Sequence, residues 1–320
     1  MAFEELSEQP QVARVLRAAL RSDRMPHACM FLGAEGIGRC RAARELARVV
    51  LCLGDRPADD ACGACESCRR MAAGTHPDYC EVGVPDGKQL LPIESVRHVQ
   101  HLANLKPRLS ARRFFVIREA DRLTQEAANC FLKTLEEPPG GCVFVLVAST
   151  LHDIPQTIVS RCQLVRFRNT SPEALAERLR REGLEEAEAL WLARRTRGSP
   201  GAARRFAEMG LRQFSEELQE RMGRLSLRDN FELSDWLNSM AGEGAGSASE
   251  ARKALQDLLD CLVVYYCDRA LSAGDGDPDA DLDRADLVLE TIERVGANAN
   301  RTLALDHLFT ELGRRQKTRT

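Results

Sequence analysis

The sequence predicts an α/β domain with a mostly parallel sheet, followed by a second half built only of helices. In the first half, short apolar runs alternate with segments of helical periodicity, as in sheets covered by helices on both faces. After Arg168 the helical periodicity continues to Thr320, and the sequence contains no further convincing strand pattern. We therefore expect one mixed domain first and helical domains after it.

Three continuous apolar runs predict buried strands. They are Ala28–Leu32, residues 114–117 and Cys142–Ala148. Apolar runs without polar alternation are typical of parallel strands that are covered on both faces. We therefore expect these three segments to form the centre of the sheet.

Apolar residues at helical spacing, together with start and stop signals, predict helices in three places. Arg39–Leu51 follows the first strand after a glycine-rich turn, and residues 125–135 have helical spacing that ends at Pro138–Pro139. Proline cannot continue a helix because it lacks an N–H group. Ser171 followed by Pro172 is typical of a helix start, with serine as the cap and proline at the first position.

Composition excludes some classes of protein. The 45 Lys and Arg residues are balanced by 48 Asp and Glu, which gives a net charge of −3 and no overall basic field for nucleic acid. The longest apolar run, Cys142–Ala148, is too short to span a membrane, and the first residues lack the pattern of a secretion signal. We expect a cytoplasmic protein without a membrane partner, in which clustered cysteines indicate metal binding or packing rather than disulfides.

A glycine-rich turn lies between the first strand and the first long helix. Gly33, Gly36 and Gly38 have the spacing of a phosphate-binding loop, G-x-x-x-x-G-K-[ST]. Arg39 stands where a lysine reaches the terminal phosphates, and Cys40 where a hydroxyl binds Mg²⁺. The segment is either a phosphate loop with altered reactive positions or a plain turn that joins a strand to a helix.

Charged residues follow the strand at 114–117. In nucleotide-hydrolysing folds an Asp at this point binds the metal and a Glu lies beside the attacking water. Here Arg118 occupies the first position and Glu119 the second. Because a guanidinium is always cationic, Arg118 repels Mg²⁺. A strand end that simply meets solvent is the alternative interpretation.

Four cysteines are closely spaced in the pattern C-x9-C-x2-C-x2-C. Two-residue gaps let neighbouring thiolates converge on one ion, and four thiolates complete the tetrahedron of a structural zinc site. Cys52, Cys62, Cys65 and Cys68 are therefore the candidate Zn²⁺ ligands. A redox pair or incidental free thiols are the alternatives.

Two basic features are weaker signals. In Ser160-Arg161-Cys162 the arginine follows a short helical pattern, and such an arginine is usually solvated or caps the helix. The basic run 106–113 precedes the second predicted strand. It is either a solvated loop or a contact for phosphate.

In their order along the chain, these segments resemble the bacterial DNA polymerase III clamp-loader subunits of the AAA+ class. The resemblance rests on the following segments: His27-Ala28, the altered phosphate loop, the four-cysteine insertion, the string Lys-Thr-Leu-Glu-Glu-Pro-Pro at 133–139, Ser160-Arg161-Cys162 and Gly-Ser-Pro-Gly at 198–201. The motifs cover about the first 205 residues. The tail at 298–305 is less specific.

Within that family, the substitutions favour the non-hydrolysing delta-prime group over the ATP-hydrolysing gamma/tau group. Arg39, Cys40 and Arg118 replace the lysine, the hydroxyl and the metal-binding Asp together. Gly201 occupies the place where a motor subunit usually carries a nucleotide-sensing arginine. Four such changes point to a member that does not hydrolyse ATP.

The resemblance implies an architecture and a role. The implied domains are an AAA+ core at 1–169 with a zinc module inserted at about 52–68, a small helical lid at 170–208 and a helical collar at 209–320. The collar would join gamma/tau-like and delta-like subunits in a ring that opens the sliding clamp and loads it onto primed DNA. Arg161 would be offered to a neighbour's ATP, with Ser160 fixing the turn and Cys162 packing beneath it.

Two other functions stay open at this point. An active gamma/tau-like ATPase would have to tolerate Arg39 and Cys40, and ATP could also bind without turnover. A zinc-stapled nucleic-acid-binding protein would need a basic face near the cysteines. Acidic residues accompany Arg69 and Arg70 there, so the charge does not favour this function.

Overall fold

The computed structural model describes residues 9–22, 24–55, 59–85, 87–196, 198–223, 230–242, 246–271 and 277–317. The chain divides into two compact units, Met1–Arg205 and Phe206–Thr320. The first unit contains a parallel sheet with helices, and the described part of the second contains helices alone.

The sheet of the first unit has five parallel strands in the order β2-β3-β4-β1-β5. They are β1 (Ala28–Leu32), β2 (Tyr79–Val82), β3 (Arg113–Ile117), β4 (Cys142–Ala148) and β5 (Gln163–Arg166). The three strands predicted from apolar runs form the centre and are almost wholly buried. The other two, β2 and β5, are the edges and are partly exposed, so they lack a continuous apolar run.

Helices cover both faces of this sheet. Those that begin within the unit are α1 (Pro10–Arg21), α2 (Arg39–Leu51), α3 (Glu66–Ala72), α4 (Ile93–Ala103), α5 (Gln125–Glu136), α6 (Gln156–Val159), α7 (Pro172–Arg181), α8 (Glu186–Arg195) and α9 (Pro200–Glu208). Alternate strand residues point to opposite faces. Phe31 and Phe114 pack with α1 and α2, whereas Met30 and Phe115 pack with α4 and α5. The predicted α/β fold class with a parallel sheet is confirmed.

Local capping explains where two of the predicted helices begin. The hydroxyl of Thr124 accepts a hydrogen bond from the Ala127 N–H at the start of α5, and Ser171 accepts one from the Ala174 N–H at the start of α7. Each satisfies a backbone donor that has no partner within its helix. The predicted role of Ser171 as a helix cap is confirmed.

The described residues of the second unit form five helices and no strand. They are α10 (Leu211–Gly223), α11 (Asn230–Gly242), α12 (Ala248–Leu271), α13 (Pro278–Gly296) and α14 (Arg301–Lys317). Leu259, Tyr266, Val288 and Phe309 are completely buried in this unit. The absence of strands after Arg168 is thus confirmed for the part of the chain that the structure describes.

Candidate functional site

The glycine-rich turn connects β1 to α2 at the carboxyl edge of the sheet. Gly36 and Gly38 have φ values of 79° and 95°, in the left-handed region that glycine tolerates best. Gly38 is also the N-cap residue, immediately before α2. The turn therefore brings the N-terminus of α2 to the sheet edge where parallel α/β folds bind ligands, in a geometry suited to anions.

The two reactive positions after this turn point into the protein. The Arg39 side chain is buried, and its Nη2 donates to Ser149 Oγ at 3.2 Å, beyond the end of β4. Burial lowers the pKa of Arg39. Burial also raises the pKa of the Cys40 thiol, which packs against the core. Cys40 is thus held as a neutral thiol, and Mg²⁺ prefers oxygen ligands to sulfur.

The turn is held from outside by the start of α9. Gly201 N donates to Gly36 O at 2.9 Å, and Ser199 Oγ donates to Glu35 O at 2.8 Å. A Cβ atom at Gly201 would lie only 2.8 Å from Gly36 Cα and from Gly36 O. The backbone of α9 therefore rests directly on the turn, and glycine at both positions makes this approach possible.

An ion-pair cluster lies where a metal-binding Asp would be. Arg118 Nε lies 3.3 Å from Glu81 Oε1, at the end of β2, and Arg44 donates to both carboxylate oxygens of Glu81 at 2.9 and 2.7 Å. Tyr79 Oη also donates to Glu81. Burial raises the pKa of Glu81, but the bonds from Arg44 and Tyr79 and the Arg118 charge outweigh it and lower the pKa overall. Within this cluster, the Glu81 charge raises the pKa of the nearby Cys40 thiol, whereas the charges of Arg118 and Arg44 lower it.

Glu119 is engaged in local contacts. Its backbone has a φ of 52°, its Oε2 accepts from Val84 N at 3.2 Å, and its Oε1 lies 3.5 Å from Arg122 Nη1. A non-glycine residue with positive φ stores backbone strain. The carboxylate thus ties the end of β3 to the chain that follows β2.

The four predicted cysteine ligands lie together. All four Sγ atoms of Cys52, Cys62, Cys65 and Cys68 are within 4.8 Å of one another. Sγ distances are 3.8 Å for Cys52 and Cys65, 3.9 Å for Cys62 and Cys68, and 3.6 Å for Cys52 and Cys68. Zinc–sulfur bonds of about 2.3 Å in a tetrahedron give an edge of about 3.8 Å. This four-cysteine cluster could therefore hold a metal ion.

Backbone N–H groups surround the sulfurs. Cys52 Sγ accepts from the N–H groups of Gly54 and Cys62, each at 3.4 Å, and Cys65 Sγ accepts from Cys68 N at 3.4 Å. Burial raises the pKa of the Cys65 thiol, but hydrogen bonds from the backbone of Cys68 and Leu53 and from the neighbouring thiols outweigh it and lower the pKa to about 6. Such donors stabilise thiolates, which are the form that binds metals.

The tripeptide at 160–162 follows the short helix α6. Ser160 Oγ donates to Thr157 O at 3.1 Å and so closes the turn, while Cys162 packs against the core. Arg161 Nη1 donates to Thr157 O at 3.0 Å, and its Nη2 lies 2.6 Å from Glu136 Oε1 at the end of α5. The guanidinium is partly exposed. Its ion pair with Glu136 is a contact that the sequence did not suggest.

Comparison with known proteins decides the family. A family model described as DNA polymerase III, delta subunit, matches residues 8–171, which is just over half of the chain. The chain belongs to this family. Among its relatives, the DNA polymerase III subunit delta' of Escherichia coli is 36% identical over 190 residues, which are 59% of this chain and 56% of the relative. The delta' subunit of Bacillus subtilis is 34% identical over 182 residues, 56% of this chain and 54% of the relative.

A gamma/tau-type relative is similar over a stretch of comparable length. The DNA polymerase III subunit tau of Bacillus subtilis is 32% identical over 177 residues, 55% of this chain and 31% of the relative. The DNA polymerase III delta family member thus spans little more than half the length of the two delta' relatives and about a third of tau. A Thermotoga maritima protein described as DNA polymerase III, gamma subunit-related, has the same fold, with a TM-score of 0.55, 18% identity and coverage of 97% of this chain and 100% of that one.

A buried polar network beneath the cysteine cluster was missed by sequence reasoning. Ser67 and Ser110 both donate to Leu51 O, at the end of α2, at 2.7 Å. His76 Nδ1 accepts from Asp78 N at 3.0 Å, so its Nε2 carries the proton and donates to Ser67 Oγ at 3.0 Å. The network joins the cluster segment to the sheet of this family member and to the helix that follows the glycine-rich turn.

Asp78 extends this network into the basic run. Its carboxylate is buried and accepts three hydrogen bonds of 2.7 to 2.8 Å from the N–H groups of residues 108–110. Arg113 is also buried, and its Nη2 lies 3.8 Å from Asp78 Oδ1. The expectation of a solvated basic loop is therefore wrong for Arg113, which begins β3.

Among the described residues, no helix has the length and apolar character needed to cross a membrane.

Proposed function

We propose that this chain is a non-hydrolysing, stator-like clamp-loader subunit of the delta-prime kind that works in the cytoplasm. It joins gamma/tau-like and delta-like subunits in a hetero-oligomeric ring that loads the sliding clamp onto primed DNA. Residues 1–169 serve as the AAA+ core, 170–208 as the lid and 209–320 as the collar. Family membership supports the complex, and the geometry around the glycine-rich turn supports the non-hydrolysing role.

The Arg118–Glu81 pair carries the proposal. Phosphoryl transfer depends on Mg²⁺, which bridges the phosphates and neutralises developing charge. In a motor subunit a carboxylate supplies the metal ligand at position 118. Here position 118 is the cationic Arg118, which pairs with the carboxylate of Glu81. Arg44 pairs with the same Glu81 carboxylate, and the Cys40 side chain offers no oxygen ligand. A divalent cation would meet two guanidinium groups at this point, so we expect the site not to bind Mg²⁺ for hydrolysis.

ATP binding without turnover is compatible with this proposal. Arg39 retains a positive charge beside the N-terminus of α2. The contact between Gly201 and Gly36 limits the space over the turn. We expect any binding to be weak and to depend on Arg39.

An ATPase assay on the full chain tests the absence of turnover. The purified protein is expected to release no phosphate above the background of a mock preparation. Steady hydrolysis that disappears in an Arg39→Ala variant would contradict the proposal and favour the second candidate, an active gamma/tau-like ATPase. The similarity to the tau subunit is the observation that keeps this candidate open.

The positive role belongs to Arg161, which we assign as an arginine finger that acts on a neighbour's ATP. A guanidinium placed across an interface neutralises charge on a γ-phosphate, and such fingers are worth about 10³–10⁵ in rate in GTPases. The Ser160 hydroxyl and the Thr157 carbonyl fix the turn that carries Arg161. In the reconstituted complex Arg161→Ala should lower ATP hydrolysis and clamp loading while the ring still assembles.

Lysine provides the matched control for this assignment. Arg161→Lys keeps the charge but loses the planar fork, so it should restore little activity. An Arg161→Ala complex that hydrolyses ATP and loads clamps at the unmodified rate would show that Arg161 is not a finger.

We further propose that the four-cysteine cluster holds one structural Zn²⁺. The support is the sulfur separation, which matches a tetrahedron around zinc, and the donor set, since a closed four-thiolate site suits zinc. Four sulfurs leave no open position for catalysis. Bound zinc would hold together a polar segment that has little apolar core of its own.

Elemental analysis should give one zinc per chain, and a Cys62→Ser, Cys65→Ser variant should contain none. Zinc-free protein that is fully folded would contradict this assignment.

A further inference from the structure

Arg161 is held by contacts of two kinds, hydrogen bonds within its own turn and an ion pair with another helix. Its Nη1 donates to the Thr157 carbonyl at 3.0 Å, a backbone group of its own turn. Its Nη2 lies 2.6 Å from Glu136 Oε1, and the side chains of Arg161 and Glu136 are 36% and 48% exposed. Because water reaches both partners, the carboxylate can be replaced without leaving a buried charge unpaired. The carbonyl contact does not depend on it.

Helix stability does not account for an acid at position 136. Glu136 is the last residue of α5, and Glu137 follows it. The C-terminus of a helix carries partial negative charge, which disfavours a carboxylate there. Two adjacent acids add mutual repulsion. The ion pair with Arg161 offsets both effects.

A nucleotide phosphate would compete with Glu136 for the same guanidinium. Arginine binds carboxylates and phosphates through the same planar fork. An exposed ion pair contributes little net free energy, so a ligand with more negative charge can displace the carboxylate. The Thr157 contact would keep the guanidinium on its turn during such an exchange.

We propose that Glu136 is a regulatory counter-charge, which holds Arg161 within its own subunit and competes with the phosphate of a neighbouring subunit's nucleotide. This inference rests on the proposed role of Arg161 as an arginine finger. Glu136 thereby sets the nucleotide concentration at which the finger engages. It acts through its charge rather than by orienting the guanidinium.

The test compares two adjacent glutamates in the reconstituted complex. Glu136→Gln removes the charge but keeps the side-chain size and an oxygen acceptor, and Glu137→Gln makes the same change at an exposed neighbour. The readout is the ATP concentration that gives half-maximal hydrolysis. Glu136→Gln should lower it by about two- to fivefold, the range expected for an exposed ion pair, and Glu137→Gln should leave it unchanged. The difference should shrink at about 1 M salt, which screens exposed charges.

An Arg161→Ala background separates the possible outcomes. If Arg161→Ala lowers hydrolysis, and Glu136→Gln lowers the half-maximal ATP concentration in the unmodified background but has no effect in the Arg161→Ala background, both roles are supported. If Arg161→Ala lowers hydrolysis but Glu136→Gln in the unmodified background raises or does not change the half-maximal concentration, the counter-charge role is wrong and the finger stands. If Arg161→Ala has no effect, the finger assignment fails and this inference fails with it.

Discussion

Replacing Gly201 by alanine tests whether α9 holds the glycine-rich turn. The added Cβ would lie 2.8 Å from Gly36 Cα and from Gly36 O. Non-bonded carbon atoms are normally about 3.5 Å apart or more, so the two backbones must separate by about 0.7 Å. The hydrogen bond from Gly201 N to Gly36 O, now 2.9 Å, would then exceed the usual range.

The expected cost follows from three contributions. The lost hydrogen bond costs about 1 kcal/mol. Overpacking against backbone costs about 1–3 kcal/mol. The better helix propensity of alanine returns up to about 1 kcal/mol. The net loss is about 2 kcal/mol, which for a unit of this size lowers the melting temperature by about 4–8 °C.

Thermal melting of the full chain measures this loss, and hydrogen exchange locates it. Amide protection should fall at residues 199–203 and at the turn. Gly140→Ala is the matched control, because a Cβ there meets no heavy atom within 4 Å. It should stay within about 0.5 kcal/mol of the unmodified protein. If Gly201→Ala melts and exchanges like the control, α9 does not hold the turn.

Three further results are expected. Asp78→Asn leaves the buried Arg113 without its carboxylate, so urea unfolding should show a loss of about 3–5 kcal/mol, and an unchanged midpoint would contradict this. Burial raises the pKa of Asp78, but the hydrogen bonds from residues 108–110 outweigh it and lower the pKa overall. The stabilisation of the folded state by the Asp78 carboxylate is therefore fully present above about pH 4, and it is lost as the pH falls through the lowered pKa. The difference in free energy of unfolding between Asp78→Asn and the unmodified protein should therefore become smaller below about pH 4 and stay constant above it. Gly54→Ala places a Cβ 2.6 Å from Cys62 Sγ, so chelator competition should show zinc affinity lowered by about 10–100-fold, and full retention would refute the close packing.

The central strands could be predicted because both of their faces are buried. Complete burial requires apolar residues at every position, and Cys142–Ala148 shows this directly in the sequence. The edge strands β2 and β5 could not be recognised in the same way. In β2, Glu81 pairs with arginines, and in β5 half of the residues face solvent. Strand formation there depends on the neighbouring strand rather than on local pattern.

The cysteine cluster and the tripeptide at 160–162 could be located from spacing, but their partners could not. Glu136 lies 25 positions before Arg161, and a charged pair at that separation has no local signature. Glu81 and Arg118 are still further apart in sequence and meet only because β2 and β3 are adjacent. The contact between Gly36 and Gly201 joins two segments that are separated in sequence by four of the five strands. Such pairings depend on which strands and turns become neighbours in the folded chain, and no local sequence pattern predicts them.

The Arg118–Glu81 pair makes positions 81 and 118 depend on each other. Changing Arg118 to Asp alone would put a new carboxylate beside Glu81, with only Arg44 left to balance them. Like charges at such a distance repel, so without a bound cation one of the two carboxylates would tend to take up a proton. A change of charge at position 118 therefore alters the protonation of position 81, and the two side chains act as one electrostatic unit.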